Sequence, residues 1–305
     1  MKAIVRSSSS PTGLTFTEVP EPVPEDDEIL VEMTAASVNY GTVAYLDGAV
    51  EGSIRGSDGA GVVIAAAADG SGPAVGDRVA FATPHGSWAE RTRVPAAYAA
   101  TIPDGIDDVT AAAVPGAGLT ALQAIRRLGS VLGRRVLVTG AAGGVGTFAL
   151  QLLAQAGAIP VAWVGSPERA NGLAELGAHD VVTSADDLSP LRFDAIIDTV
   201  GGTTLGAALA GLTDHGTALN IGHASGSPTL IDFEAVRRLG PGRSIEAFVC
   251  TDVSATALSE LLQMVRADEL KVTVSHRVAW EDYDQAVEAL LSRTVRGKAV
   301  LQIDR

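Results

Sequence analysis

The sequence is short of several things, and each shortage excludes a class of protein. It has one cysteine, Cys250, in 305 residues. A disulfide within the chain is impossible, and a zinc site built on cysteines is nearly so. Aromatic residues make up only 4%, so any core must be filled mainly by Ala, Val, Leu and Ile. Three residues are Lys (Lys2, Lys271 and Lys298), and the other basic residues are Arg. Basic residues number 22 against 36 acidic ones, a net charge of −14. A nucleic-acid binder carries the opposite balance, so DNA or RNA is not expected as the principal partner. No uninterrupted apolar stretch approaches the roughly 18 residues of a membrane span. The opening MKAIVRSSSSPTG lacks the apolar core of a signal peptide. The expectation is a soluble cytoplasmic protein with no membrane partner.

What is present is enough apolar material for large cores: 47% hydrophobic and 19% charged residues, with 34 glycines. The length is about twice that of a usual single domain, so two domains are expected. The first third reads as β-rich, with strands over 3–5, 28–33, 61–66 and 79–82 set between turn-formers. Beyond about residue 118 the pattern changes. Short apolar runs at 135–139, 161–164, 181–183, 195–199 and 218–221 alternate with helical segments. Continuous apolar strands separated by helices predict βαβ units and a parallel, doubly wound sheet. Near the end, Tyr283, Ala286, Val287, Leu290 and Leu291 fall on one face of a helix.

The sharpest motif is Thr139-Gly140-Ala141-Ala142-Gly143-Gly144-Val145-Gly146, which follows a strand and opens a helix. Ala141, Gly143 and Gly146 take the three fingerprint positions of a dinucleotide turn, in which pyrophosphate oxygens reach backbone N–H groups at the helix start. An NAD site places an acid at the end of the second strand. Here that region reads Val161-Ala162-Trp163-Val164-Gly165-Ser166, with Arg169 three residues on. A hydroxyl and a guanidinium at a helix start suit a 2′-phosphate, so the expected cofactor is NADPH. Glu168, between them, is read as facing solvent. The bland alternative makes Arg169 an exposed helix residue.

Several ordered segments carry a resemblance. Gly56-Ser57-Asp58-Gly59-Ala60-Gly61-Val62-Val63, Gly76-Asp77-Arg78-Val79, the stretch Ala111 to Ala121 and the closing Gly297-Lys298-Ala299-Val300-Leu301 resemble motifs of the medium-chain dehydrogenase/reductase superfamily. More narrowly, the chain is similar to its zinc-independent quinone oxidoreductase and enoyl reductase branch. The resemblance implies an α/β fold of two parts. One is a GroES-like β-rich catalytic domain over 1–118 plus 251–305. The other is a Rossmann doubly wound parallel-sheet cofactor domain over 119–250. The family's zinc ligands stand where this chain has Asn39, Ser57 and Ala117, so no metal is expected. Without a Lewis acid the implied chemistry is hydride addition to an activated C=C bond of an enone, quinone or enoyl thioester. The alternatives are a carbonyl reductase, or a non-redox tailoring enzyme on the same fold.

The resemblance also supplies candidate residues. Tyr40 either donates to the substrate oxygen or packs at the cleft edge. Asn39 bonds the nicotinamide ribose or the substrate oxygen, or is structural. Thr42 departs from the Asp that many relatives carry there. His85 is either a proton donor or a surface-loop residue. Thr120, Val200, Asn220, Ile221 and Gly222 are expected cofactor contacts beside Gly140, Ala142, Gly143, Gly144, Val145, Gly146, Ser166 and Arg169. Asp198 reads better as a turn or cap residue than as an acid, Asp58 as structural, and Cys250 as a buried inert thiol. Only seven residues separate Gly48 from Gly56, which suits an open cleft and a bulky natural-product intermediate. The strand near 245–249 is the expected sheet edge of a homodimer.

Overall fold

Two kinds of strand build two units. In one unit the long strand 28–38 turns alternate side chains inward, and in the other the strands 135–139 and 159–163 are apolar on both faces. The computed structural model describes residues 1–188 and 191–303. In chain order its strands begin with β1 (Lys2–Arg6), β2 (Leu14–Glu18), β3 (Glu28–Val38), β4 (Asp58–Ala65), β5 (Arg78–Ala82), β6 (Arg91–Pro95) and β7 (Ala99–Thr101). There follow β8 (Arg135–Thr139), β9 (Ile159–Trp163), β10 (Asp180–Val182), β11 (Phe193–Asp198), β12 (Leu212–Asn220), β13 (Ser244–Ala247), β14 (Val274–Ala279) and β15 (Lys298–Gln302). The helices are α1 (Tyr40–Ala44), α2 (Asp108–Ala112), α3 (Pro115–Leu128), α4 (Gly144–Gln155), α5 (Gly202–Ala210), α6 (Phe233–Leu239), α7 (Ala255–Arg266) and α8 (Tyr283–Leu291).

One unit comprises Met1–Leu119 with Asp252–Arg305, and the other Thr120–Thr251. In the first, β14-β15-β3-β4-β5-β7 form one sheet, β6 also pairs with β3, and β1-β2 form a separate ribbon. All these pairs are antiparallel except β14 with β15. The long β3 supplies Ile29, Val31 and Met33 at every second position to a core that includes Phe81, Trp88 and Trp280. The few aromatics are concentrated there. Phe16 meets Trp280 edge-on at 4.8 Å and Tyr283 at 5.4 Å, and Trp88 Nε1 donates to Ser37 O at 3.0 Å. The amphipathic helix read near the C-terminus is α8.

In the second unit the sheet order is β10-β9-β8-β11-β12-β13, and every pair is parallel. Counted from β8 this is the order 3-2-1-4-5-6 of a doubly wound dinucleotide fold. Leu137, Val161, Ile196 and Ala218 are buried in its core with Phe193 and Leu205, so the central strands admit no polar alternation. The order reverses between β8 and β11. Such a switch point places ligands at the carboxyl ends of these two strands. The helix after β8 starts at Gly144. Its first turn is glycine-rich and shows no apolar face.

Candidate active site

At the carboxyl end of β8 the chain turns through Gly140–Gly143 into α4. The Gly143 N–H donates to Gly140 O at 2.8 Å and closes the turn. Gly143 is the helix N-cap in extended conformation, with no side-chain cap bond. The N–H groups of Gly144, Val145 and Gly146 have no intrahelical acceptor. The first to bond back is Thr147, to Gly143 O at 3.0 Å. Three outward N–H groups at a positive helix end form an anion site suited to a pyrophosphate. Gly146 is required by close approach: a Cβ there would lie 2.6 Å from both Ala141 Cα and Gly140 O. The turn fits a dinucleotide.

Asp198 ends β11, the strand next to β8. It is fully buried and accepts from Thr139 Oγ1 (2.6 Å), Asn220 Nδ2 (2.7 Å), Gly201 N (3.0 Å) and Val200 N (3.3 Å). Its backbone oxygen accepts from Ile221 N at 2.7 Å. One carboxylate thus ties together the ends of β8, β11 and β12, as a turn residue rather than an acid. It brings Val200, Asn220, Ile221 and Gly222 beside the glycine turn. Asn220 also donates to Gly222 O at 2.9 Å. Both its amide hydrogens are spent, and it can offer a ligand only its carbonyl oxygen.

Beyond β9, Ser166 precedes a single 3-10 turn, Pro167–Ala170, and Arg169 N donates to Ser166 O at 3.2 Å. Glu168 is exposed, and its carboxyl is held below the ordinary value first by a hydrogen bond from the Ser166 hydroxyl. The hydroxyl is directed to an acid beside it, which leaves the half-buried Arg169 as the cation of this corner. Thr120 lies half-buried in the second turn of α3. Cys250 is half-buried rather than buried.

In the other unit the candidate residues start where β3 ends. Asn39 is the N-cap of α1 in extended conformation, yet its side chain makes no cap bond. Asn is among the best N-caps, worth about 1 kcal/mol there. The carboxamide turns inward instead. Nδ2 donates to Asp58 Oδ1 at 2.5 Å and to Ser57 Oγ at 3.3 Å, and Oδ1 accepts from Lys298 Nζ at 2.5 Å. Asp58 is fully buried and its Oδ2 accepts from Gly116 N at 3.0 Å. A Cβ on residue 116 would lie 2.7 Å from that oxygen. Burial pushes the Lys298 ammonium below its ordinary value, against the pull of Asp58.

In the sequence Lys298 stands out only as part of the closing Gly297–Leu301 motif. The available signal was a lysine inside an apolar strand, where an unpaired charge is almost never buried. The positions matched to zinc ligands hold an amide already engaged, a hydroxyl and the methyl of Ala117, a donor set that does not fit zinc. Among the described residues no group of three or more His, Cys, Asp or Glu could hold a metal ion.

Tyr40 opens α1, half-buried, with its ring edge-on to Tyr45 at 6.4 Å. His85 belongs to a separate cluster. Its Nε2 lies 2.7 Å from Glu28 Oε1, and Arg93 Nη1 lies 3.2 Å from Glu28 Oε2. Burial raises the Glu28 pKa, but the Glu25 N–H, His85 and Arg93 outweigh it and hold the carboxyl below its ordinary value. His85 is thus paired with Glu28, and among the described residues it makes no hydrogen bond to Asn39, Asp58 or Lys298.

A glycine turn at the switch point of a parallel 3-2-1-4-5-6 sheet defines a dinucleotide-binding dehydrogenase or reductase. Comparison with known proteins narrows this. Residues 25–104 match the alcohol dehydrogenase GroES-like domain, and residues 176–301 match the zinc-binding dehydrogenase model. A quinone oxidoreductase of Pseudomonas aeruginosa is 27% identical over 95% of this chain and 96% of its own. Prostaglandin reductase-3 of Bos taurus is 28% identical over 94% of this chain and 84% of its own. A mycobacterial structure complexed with NADPH superposes with a TM-score of 0.90 at 27% identity, covering 99% of this chain and 100% of that one. The chain belongs to the medium-chain dehydrogenase/reductase superfamily, in its quinone oxidoreductase and enoyl reductase branch. Its two units are of the GroES-like and Rossmann kinds.

Proposed function

We propose that this protein is an NADPH-dependent oxidoreductase that reduces an activated C=C bond of an enone, quinone or enoyl thioester. The observation that carries the proposal is the glycine-rich turn at Gly140–Gly146, with its three outward N–H groups. The similarity to a quinone oxidoreductase, to a prostaglandin reductase and to an NADPH complex supports it. The glycine turn would hold the pyrophosphate and Arg169 the 2′-phosphate. The strand-end residues Val200, Asn220, Ile221 and Gly222, with Thr120, would complete the dinucleotide site. This assigns the cofactor to 119–250 and the substrate-side residues to 1–118 and 251–305.

When bound, NADPH supplies hydride to the alkene β-carbon. As negative charge moves onto the carbonyl oxygen, the Tyr40 hydroxyl donates a hydrogen bond to it. His85, backed by Glu28, is the chain's proton-donor candidate for the α-carbon. Asn39 accepts rather than donates, because both its amide hydrogens are engaged. It therefore suits a hydroxyl donor such as a ribose O–H and not the developing oxyanion. We extend the proposal to a homodimer paired through β13, one of the sheet's two edge strands, and to a cytoplasmic location.

The test is NADPH or NADH consumption with a panel of enones and quinones, followed by product mass. A gain of two hydrogens with the carbonyl kept is expected, with NADPH preferred. A product isomeric with its substrate, or tighter NADH binding, counts against the proposal. Tyr40→Phe should slow turnover by about tenfold or more while sparing NADPH binding.

A further inference from the structure

Lys298 is nearly fully buried at 3% exposure, on the closing strand β15. An ammonium has three donor hydrogens. Among the described residues Nζ makes one hydrogen bond, the 2.5 Å contact to Asn39 Oδ1. Its charge partner Asp58 forms no direct ion pair with it among the described residues. The two charges are joined through the carboxamide, with ammonium on its oxygen and carboxylate on its nitrogen. In some proteins a burial this costly holds a group in one arrangement. Two local rules are broken in its favour. Asn39 gives up its N-cap bond to α1, and residue 116 must be glycine to admit the Asp58 carboxylate.

We propose that Lys298 is a positioning residue for the reductase site. Its ammonium fixes which way the Asn39 carboxamide faces, and with it the Asn39–Tyr40 turn. An amide between two hydrogen-bonding partners can flip by half a turn. The ammonium can face only Oδ1 and the carboxylate only Nδ2, so one orientation survives. Asn39 then presents an acceptor lone pair, and Ser57 Oγ is held at the nitrogen side. This inference rests on the reductase proposal for its kinetic consequence. It stands apart from that proposal for the amide geometry.

The experiment compares wild type, Lys298→Met, Asn39→Ala and the double variant. It reads kcat and KM with an activated enone, NADPH affinity by fluorescence titration, and Tm. Lys298→Met should lower kcat by about tenfold to a hundredfold, the scale of a misplaced catalytic group. Asn39→Ala should do the same, and the double variant should be no worse than either single one, since both act through one amide. Losses that multiply overturn the proposal.

Lys298→Met leaves Asp58 buried without its countercharge and should lower Tm. Lys298→Met/Asp58→Asn removes both charges and separates the roles. Recovery of Tm with kcat still low supports positioning, whereas recovery of both means a structural role only. If neither Lys298 variant folds, Asn39→Ala decides: wild-type kcat and NADPH affinity in that variant overturn the proposal. A wild type that reduces no activated alkene defeats the reductase proposal instead. In that case NADPH titration of the same variants reads the positioning claim, and it is overturned if Lys298→Met and Asn39→Ala both bind as wild type does.

Discussion

The Thr120–Thr251 unit builds the pyrophosphate end of its candidate site from backbone, and the other unit builds its own site from side chains. In the first, a glycine-rich turn presents N–H groups, and Asp198 holds the N–H groups of Val200 and Gly201 that follow its own strand. In the second, an amide, a carboxylate and an ammonium from distant parts of the chain lock one another. The difference follows from what each must recognise. A pyrophosphate is the same in every substrate cycle and is met by fixed dipoles that need no counterion. A site facing a reacting group needs chemical variety, and buried side-chain groups supply it at the cost of desolvation.

The largest effect should come from breaking the backbone site. Gly146→Ala places a methyl 2.6 Å from Ala141 Cα and O and from Gly140 O, all backbone atoms that cannot swing aside. Helix start and strand end must separate. NADPH affinity should fall by at least about tenfold, a loss of about 1.4 kcal/mol or more, while the other unit keeps its structure. Isothermal titration measures it. Unchanged affinity would mean that the helix start is not the phosphate site.

Asp198→Asn sharpens the contrast, because here a side chain serves backbone geometry. An amide nitrogen would replace one of two oxygens that both accept. The new N–H₂ would face donors: Thr139 Oγ1 and Val200 N on one side, or Gly201 N and Asn220 Nδ2 on the other. Leaving such buried groups unsatisfied costs about 1–3 kcal/mol each. Chemical denaturation should show a loss of about 3 kcal/mol. A loss below about 1 kcal/mol would show that the strand ends hold without the carboxylate.

The same contrast explains what was legible in the sequence. The glycine turn is local: Gly140 to Gly146 lie within one strand–helix connection, so the chemistry and the spacing appear together. The parallel sheet was legible because its strands are apolar on both faces. Lys298 and Asn39 are 259 residues apart, and no periodicity links them. Asn39 reads from the sequence either as a ligand contact or as structural, since the sequence cannot show that its amide is already engaged. Ser166 shows the same limit: its spacing to Arg169 suits a phosphate, and the sequence does not show that its hydroxyl also faces the Glu168 carboxyl. Helix bounds were least legible where glycine carries no pattern, as at the start of α4.

The smallest effect lies in the other side-chain cluster, where partial exposure screens the charges. Glu28 is 6% exposed, but its partners His85 and Arg93 are each 28% exposed. Burial raises its pKa and is outweighed by the Glu25 N–H, His85 and Arg93, so the net shift is downward. The sign for stability follows. A carboxyl with a lowered folded pKa binds fewer protons when folded than when unfolded. Its contribution is present above the unfolded value, about 4.3, and is lost as pH falls through the lower folded value. Glu28→Gln should therefore cost about 1 kcal/mol at neutral pH. The variant and wild type should converge in Tm as pH falls below about 4. A Tm difference that persists at low pH would assign the loss to packing rather than to the charge, and His85 would then be held by shape alone.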